Sequence, residues 1–316
     1  MMYSPTLLHI PDGFLTIVVS LIFWLITIIM VGLAVSKTNQ SLGEKQVPLM
    51  GIMAAFIFAA QMLNFPIAGG TSGHFLGGAL AAIVLGPWAG ILVMTAVIGV
   101  QALLFQDGGL LVMGANIFNM GILTAVIGFG LYRSVIHLKR GIRMVFAGGA
   151  AWIATMAAAL VTALQLWLSG TTQLEIVLPA MLGVHALIGL GEALITVAAL
   201  TYIEQTRPDL IDLKKTAKEG GWGWVVSGIV LSLFAVLLSP FASGNPDGLE
   251  RIAEDLGFLG SGLDAPYQIL PDYTIPFLGE TAISTVLAGI VGIIVVAGLM
   301  ILLGRNLRRQ KSTEGL

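Results

Sequence analysis

Between residues 14 and 303 the chain reads as a succession of apolar runs separated by short polar connections. A bilayer span needs about 20 predominantly apolar residues, and fewer suffice where the segment is buried in a bundle or re-enters the membrane. On that measure the runs are 14–35, 48–65, a short 75–85 broken by Gly86-Pro87, 88–105, 111–136, 144–168, 178–203, 222–240 and 277–303. The expected fold is all-α: a polytopic membrane bundle of a seven-span body and two C-terminal spans. Charged residues make up only 10% of the chain, against about a quarter in soluble domains. The 40 glycines fall mostly within the apolar runs, where small residues let membrane helices approach closely.

Charge placement orients the bundle. With the N-terminus outside, the cytoplasmic segments hold every Lys and Arg except Arg251, as the positive-inside rule requires. The C-terminus is then cytoplasmic and the protein multi-pass in the cell (inner or plasma) membrane. The outer connection 243–275 carries Asp247, Glu250, Glu254, Asp255, Asp264 and Asp272 against Arg251 alone. Such a surface concentrates cations and repels anions, although acidic residues also serve simply to solvate a loop.

The residue inventory narrows the chemistry. No cysteine is present, which excludes disulfides, thiolate metal sites and a Cys nucleophile. No Gly-Lys pair and hence no phosphate-binding loop occurs, so any ATP hydrolysis belongs to a separate subunit. Ionisable groups inside or beside the spans are few: His185 and Glu192 in the seventh run, and His9, Asp12 and His74 at the outer edge. His9 precedes the first span in His9-Ile10-Pro11-Asp12-Gly13-Phe14, and His74 follows the glycine-rich Gly69-Gly70-Thr71-Ser72-Gly73. Neutral imidazoles are good ligands for Ni(II), Co(II), Cu(II) and Zn(II), and a planar nitrogen set suits Ni(II) or Cu(II). Two distant histidines also fit a plain interfacial role, hydrogen-bonded to backbone. Asn116 and Asn119 share a helix face and could orient the ligands, as could Gln101, Asp107 and Ser72, or could simply join helices. His185 and Glu192, seven apart, point to one side of their helix as a structural pair. Asp12 is read as a cap of the first helix, and His137 as solvated in a basic loop.

Several segments in order resemble the CbiM/NikM family, the substrate-specific membrane components of cobalt and nickel energy-coupling-factor transporters. They are His9 to Leu15, Gly69 to His74, Gln101 to Gly109, Gly114 to Gly121 and His185 to Glu192. Residues 245–255, Asn-Pro-Asp-Gly-Leu-Glu-Arg-Ile-Ala-Glu-Asp, are similar to the two-span accessory component of the same transporters (NikN/PDGLE-like), here fused to the capture component. The resemblance implies a capture domain at 8–205, a cytoplasmic linker at 206–221 and an accessory domain with an acidic outer loop at 222–316. It implies no permanent cofactor, with Ni(II) or Co(II) as the transported substrate. It implies a transmembrane coupling subunit, ATPase subunits and membrane lipid as partners, and no nucleic acid. The family's site takes nitrogens from the amine of a Met-His start, the His amide and two imidazoles. Carried over, the imidazoles are His9 and His74. The amine would be that of Leu8, and only in a chain whose translation starts there with Met in its place. Two other functions compete. A gradient-driven secondary metal transporter would show repeat symmetry or several midplane acids, and only Glu192 lies within a span. An intramembrane serine protease would pair Ser72 with His185 as its base.

Overall fold

The computed structural model describes residues 9–43, 46–208 and 223–314. Leu8, Lys45, Lys214, Lys215, Lys218 and most of the 206–221 segment lie outside the described residues. Eleven α-helices follow one another among those described: α1 Ile17–Ser41, α2 Gln46–Gln61, α3 Gly78–Leu85, α4 Pro87–Val100, α5 Met113–Asn116, α6 Thr124–Ser134, α7 Arg140–Leu168, α8 Leu174–Thr206, α9 Gly223–Leu238, α10 Gly248–Asp255 and α11 Ala282–Glu314. The helix α4 runs on through a π turn at Gln101–Phe105, and a second π turn at Ile117–Leu123 joins α5 to α6. Between α2 and α3 a small antiparallel hairpin pairs Phe65–Ile67 with Thr71–Gly73.

All nine apolar runs are helical, and seven of the resulting rods are long and apolar enough to cross a bilayer among the described residues. The two exceptions are α2, with 16 residues, and α3, with eight. At 1.5 Å per residue α3 is about 12 Å long, less than half the hydrocarbon thickness. All eight of its residues are buried, so its unpaired terminal groups face protein rather than lipid. Gly86 at φ +84° ends it, and Pro87 opens α4 at once, where a missing N–H costs nothing. At its start the carboxylate of Glu192, from α8, accepts the N–H groups of Leu76 (2.7 Å) and Gly77 (2.9 Å). The last span begins at Ala282 rather than Phe277, because Pro276–Leu278 forms a separate 3₁₀ turn in which Phe277 is exposed.

Lipid and core faces separate cleanly along the rods. On α1, Ile17, Leu21, Leu25 and Ile28 make an exposed stripe at helical spacing, while Phe14, Leu15 and Val19 join a smaller core with Leu166, Met181, Leu249 and Phe258. The larger core lies around α2, α3, α4 and α11 and includes Phe58, Phe75, Phe105, Leu80 and Ile91. Close crossings rest on small residues: Gly114 sits against Trp24, and Gly128 against Ala79. The two ends of the bundle differ in charge. At one end Arg140 and Arg143 both bond Glu204 at 2.8 Å, and Arg305 and Arg308 lie near Val47 and Pro48. The other end carries His9, His74 and the segment 242–281.

A Cβ added at Gly128 would stand 2.6 Å from the Cβ of Ala79, too close without separating α6 from α3. Gly128→Val is expected to cost about 1–3 kcal/mol, lowering the thermal midpoint of the purified protein by roughly 3 °C or more. Gly99→Ala, where no atom lies within 4 Å of the added methyl, is the control and should leave the midpoint unchanged.

Candidate metal centre

Four stretches of chain meet at the site: the segment before α1, the loop after α4, the hairpin before α3, and the turn that opens α10. The first is clamped by an amide pair. Ile10 N–H donates to Asn116 Oδ1 (3.1 Å) while Asn116 Nδ2 donates to the Ile10 carbonyl (3.0 Å), which also accepts from Gly109 N–H (3.0 Å). Asp12 does not cap α1, whose N-cap is Thr16. Its carboxylate accepts instead the N–H groups of Leu110, Leu111 and Val112 at 2.9–3.1 Å, fixing the turn that leads into α5. Gly108, at φ +95°, lets this loop lie against the segment, since a Cβ there would stand 2.9 Å from that of His9.

These contacts bring His9 and His74 together. Their ring centroids are 5.6 Å apart with planes at 79°, and both residues are buried, at 1% and 6% exposure. His9 Nδ1 lies 3.1 Å from the Asp107 carbonyl and 3.3 Å from its Oδ1. His74 Nδ1 lies 3.2 Å from Asp247 Oδ1. Oxygen acceptors on Nδ1 assign it the proton, which leaves a lone pair on Nε2 of each neutral ring. Both Nε2 atoms are buried without a hydrogen-bond partner among the described residues. A buried acceptor left unpaired costs about 1–3 kcal/mol, and here there is one on each of two neighbouring rings. With each nitrogen about 2 Å from a shared ion, two imidazole centroids fall roughly 4.5–6.4 Å apart, and the observed separation lies in that range. Burial holds His9 below the ordinary imidazole range. At His74 burial acts the same way, but the carboxylates of Asp247, Asp107 and Glu192, Asp247 foremost, together outweigh it and the net shift is upward.

The remaining sequence candidates take other places. Asn119 shares a cavity wall with the histidines but exchanges hydrogen bonds with Gln165 of α7 at 2.7 and 3.0 Å. Gln101 is buried, and its carbonyl accepts the Asp107 N–H (3.1 Å), closing the turn that carries Asp107. Ser72 Oγ donates to the carbonyl of Asn245 (2.9 Å), and His185 Nδ1 donates to that of Met181 (2.8 Å). Nothing pairs Ser72 with His185 among the described residues, so the nucleophile–base arrangement of a protease is absent there. Glu192 serves α3 rather than His185. His137 is exposed at the basic end.

Two contributors carry no flag as ligand supports in the sequence, and both come from the segment between α9 and α11. Asp247 backs His74 while its side chain also caps α10 in a reciprocal box with Glu250. Tyr273 donates to Asp107 Oδ2 at 2.6 Å. Asp247 lies in the Asn-Pro-Asp-Gly-Leu-Glu motif, which signals a helix start and a family likeness but not its partner. Tyr273 has no signal at all. Beside them a cavity of about 200 Å³ is lined by Asp12, Glu250, Asp264 and Asp272. Burial raises the Glu250 and Asp272 carboxyls to about 7 and about 6.

A multi-pass helical bundle with a buried imidazole pair at one end defines a membrane component of the metal-transport class, and the comparisons with known proteins agree. Residues 9–210 match the family model of the cobalt uptake substrate-specific transmembrane region, CbiM, and residues 222–309 that of the PDGLE domain. A chain of Archaeoglobus fulgidus assigned as a fused nickel transport protein, NikMN, is 39% identical over 305 residues, covering 95% of this chain and 99% of that one. The fused nickel transport protein NikMN of Rhodobacter capsulatus is 28% identical, covering 92% and 96%. The crystal structure of a truncated transition metal transporter superposes with a TM-score of 0.57 at 35% identity, covering 62% of this chain and 98% of that one. The chain belongs to the CbiM family and carries a PDGLE domain in the same polypeptide.

Tyr273→Phe should leave Asp107 without its 2.6 Å donor, a loss of about 1–3 kcal/mol for a buried acceptor. Hydrogen exchange is expected to accelerate across 262–281 and to stay unchanged in α7 and α8. Equal exchange in both proteins would show that this bond does not hold the segment down.

Proposed function

We infer that the protein captures Ni(II) or Co(II) for import at His9 and His74, as the substrate-binding component of an energy-coupling-factor transporter. One observation supports the reading: two buried imidazoles stand with ring centroids 5.6 Å apart, each held through Nδ1 by an aspartate residue and with Nε2 lacking a hydrogen-bond partner among the described residues. A carboxylate or carbonyl behind an imidazole fixes its tautomer and raises its basicity toward a metal. Asp107, Asn116 and Asp247 orient the ligands. The resemblance would add the His9 amide and, in a chain that starts at residue 8, its amine. An amide and ring of one residue chelate through Nδ1, however, so that set forms only once His9 Nδ1 leaves Asp107; the arrangement described here offers Nε2 of each ring.

The division into a capture domain at 8–205, a linker at 206–221 and an accessory domain at 222–316 is part of this reading. The ranges of the two family matches support it. The site end faces outward, as the collection of Arg133, Arg140, Arg143, Arg207, Arg305, Arg308 and Arg309 at the opposite end favours. The acidic cavity beside the site draws cations toward it. Because the chain has no phosphate-binding loop, a transmembrane coupling subunit and ATPase subunits supply the energy. The nickel names of the fused relatives favour nickel over cobalt.

Titration calorimetry of the full-length protein with Ni(II) and with Co(II) tests the site. Wild type should bind one ion, more tightly for nickel. His9→Ala and His74→Ala should each abolish measurable binding, and Asp247→Asn should weaken it about 10–100-fold. Affinity should fall on acidification, since the metal competes with the proton that Asp247 favours on His74. Unaltered binding by both alanine variants would refute the assignment.

A further inference from the structure

The chain has four histidines, and three of them, His9, His74 and His185, line one cavity of about 60 Å³ under α10. Each has its Nδ1 committed to an oxygen: the Asp107 carbonyl, Asp247 Oδ1 and the Met181 carbonyl. The same tautomer therefore holds at all three, with Nε2 left as the ligand atom. His185 Nε2 has no hydrogen-bond partner among the described residues. Three imidazoles of the same tautomer thus line one small space able to take a ligand.

They do not share it simultaneously. Among the described residues no three His, Asp or Glu side chains are grouped tightly enough to hold one ion. His185 therefore stands apart from the pair while opening on the same cavity. Its place along α8 says on which side. Ile188, nearly one turn further on, packs against Gly73, the residue before His74, where an added Cβ would lie 2.6 Å from its Cγ1. His185 itself reaches toward α10, with Cε1 3.4 Å from the Cβ position of Gly248, the first residue of that helix. Ile188 touches the same Gly248 position at 2.9 Å, but α8 runs from the site end toward Glu204 at the basic end. His185, three residues earlier, therefore lies about 4.5 Å nearer the site end than the residue packed on Gly73.

We propose that His185 is an entry-side relay ligand, which takes a divalent metal ion beneath α10 and passes it to His9 and His74. This rests on the capture reading above. A divalent ion moving from water into a buried site must exchange its hydration shell for protein ligands, and an intermediate ligand divides that exchange into smaller steps. A site that conducts rather than traps needs such stations, each weak enough to leave. A relay on the entry route lowers the barrier in both directions and leaves the equilibrium unchanged.

The test is stopped-flow binding of Co(II) to the full chain, followed by its d–d absorption, with dissociation measured by chelator chase. In His185→Ala, association and dissociation should both slow by about tenfold, with Kd and the final spectrum as in wild type. His185→Gln keeps a donor for the Met181 carbonyl but is a poor metal ligand, so it should remain slow. Unchanged rates in the alanine variant would overturn the relay. A weaker Kd with an altered spectrum would make His185 a co-ligand instead, and recovery of wild-type rates in the glutamine variant would assign it a purely structural part. If His74→Ala binds Co(II) as wild type does, the capture reading itself falls and the relay falls with it.

Discussion

An imidazole nitrogen with no partner, buried in a membrane bundle, is an unstable thing to build, and the local structure of this protein is arranged around two of them. Each His ring is held through Nδ1, His9 at Asp107 and His74 at Asp247, which leaves Nε2 as the nitrogen without a partner among the described residues. Either carboxylate alone would be costly at such depth. Asp107 is offset by the Tyr273 hydroxyl at 2.6 Å, and Asp247 by the capping box it forms at the start of α10. The two imidazoles therefore depend on the segment between α9 and α11 as much as on the body of the bundle.

That dependence gives the fused architecture a physical meaning. The tail is more than a pair of extra spans: α11 packs along α2, and the segment before it crosses the open end of the bundle to reach both histidine supports. Ser72 ties the hairpin of His74 to the carbonyls of Asn245 and Pro246, and Leu263 N–H bonds the carbonyl of Asp12 (2.7 Å), so both halves of the site are stitched to the same cover. The half-length α3 makes room for this. By ending its descent at Gly77, with Glu192 satisfying the exposed amides, the chain places a loop histidine inside the protein without leaving backbone groups to the lipid.

Much of this was legible in the sequence, and for stated reasons. Hydropathy located the helical segments of all nine apolar runs, because an apolar run bounded by charge has few alternatives in a bilayer; the break at Gly86-Pro87 marked the half-helix. His9 and His74 stood out because so few ionisable residues lie near the spans. What the sequence did not disclose is pairing. Glu192 seemed to belong with His185 by helical spacing, yet its carboxylate goes to amides more than a hundred residues away. Asp12 seemed a cap for the helix beside it, yet it serves the turn at 110–112. Asp247 and Tyr273 are read as loop residues in any one-dimensional view, since contacts between segments over 160 residues apart leave no periodic trace.

The central claim is that one metal ion joins the two buried Nε2 atoms. X-ray absorption at the nickel K-edge of the loaded full-length protein measures this directly, because imidazole rings give a distinctive multiple-scattering signal. Two imidazoles per nickel are expected in the wild type, and loss of the bound-nickel signal when either residue 9 or residue 74 is alanine. A spectrum without imidazole scattering, or one indifferent to both substitutions, would contradict it.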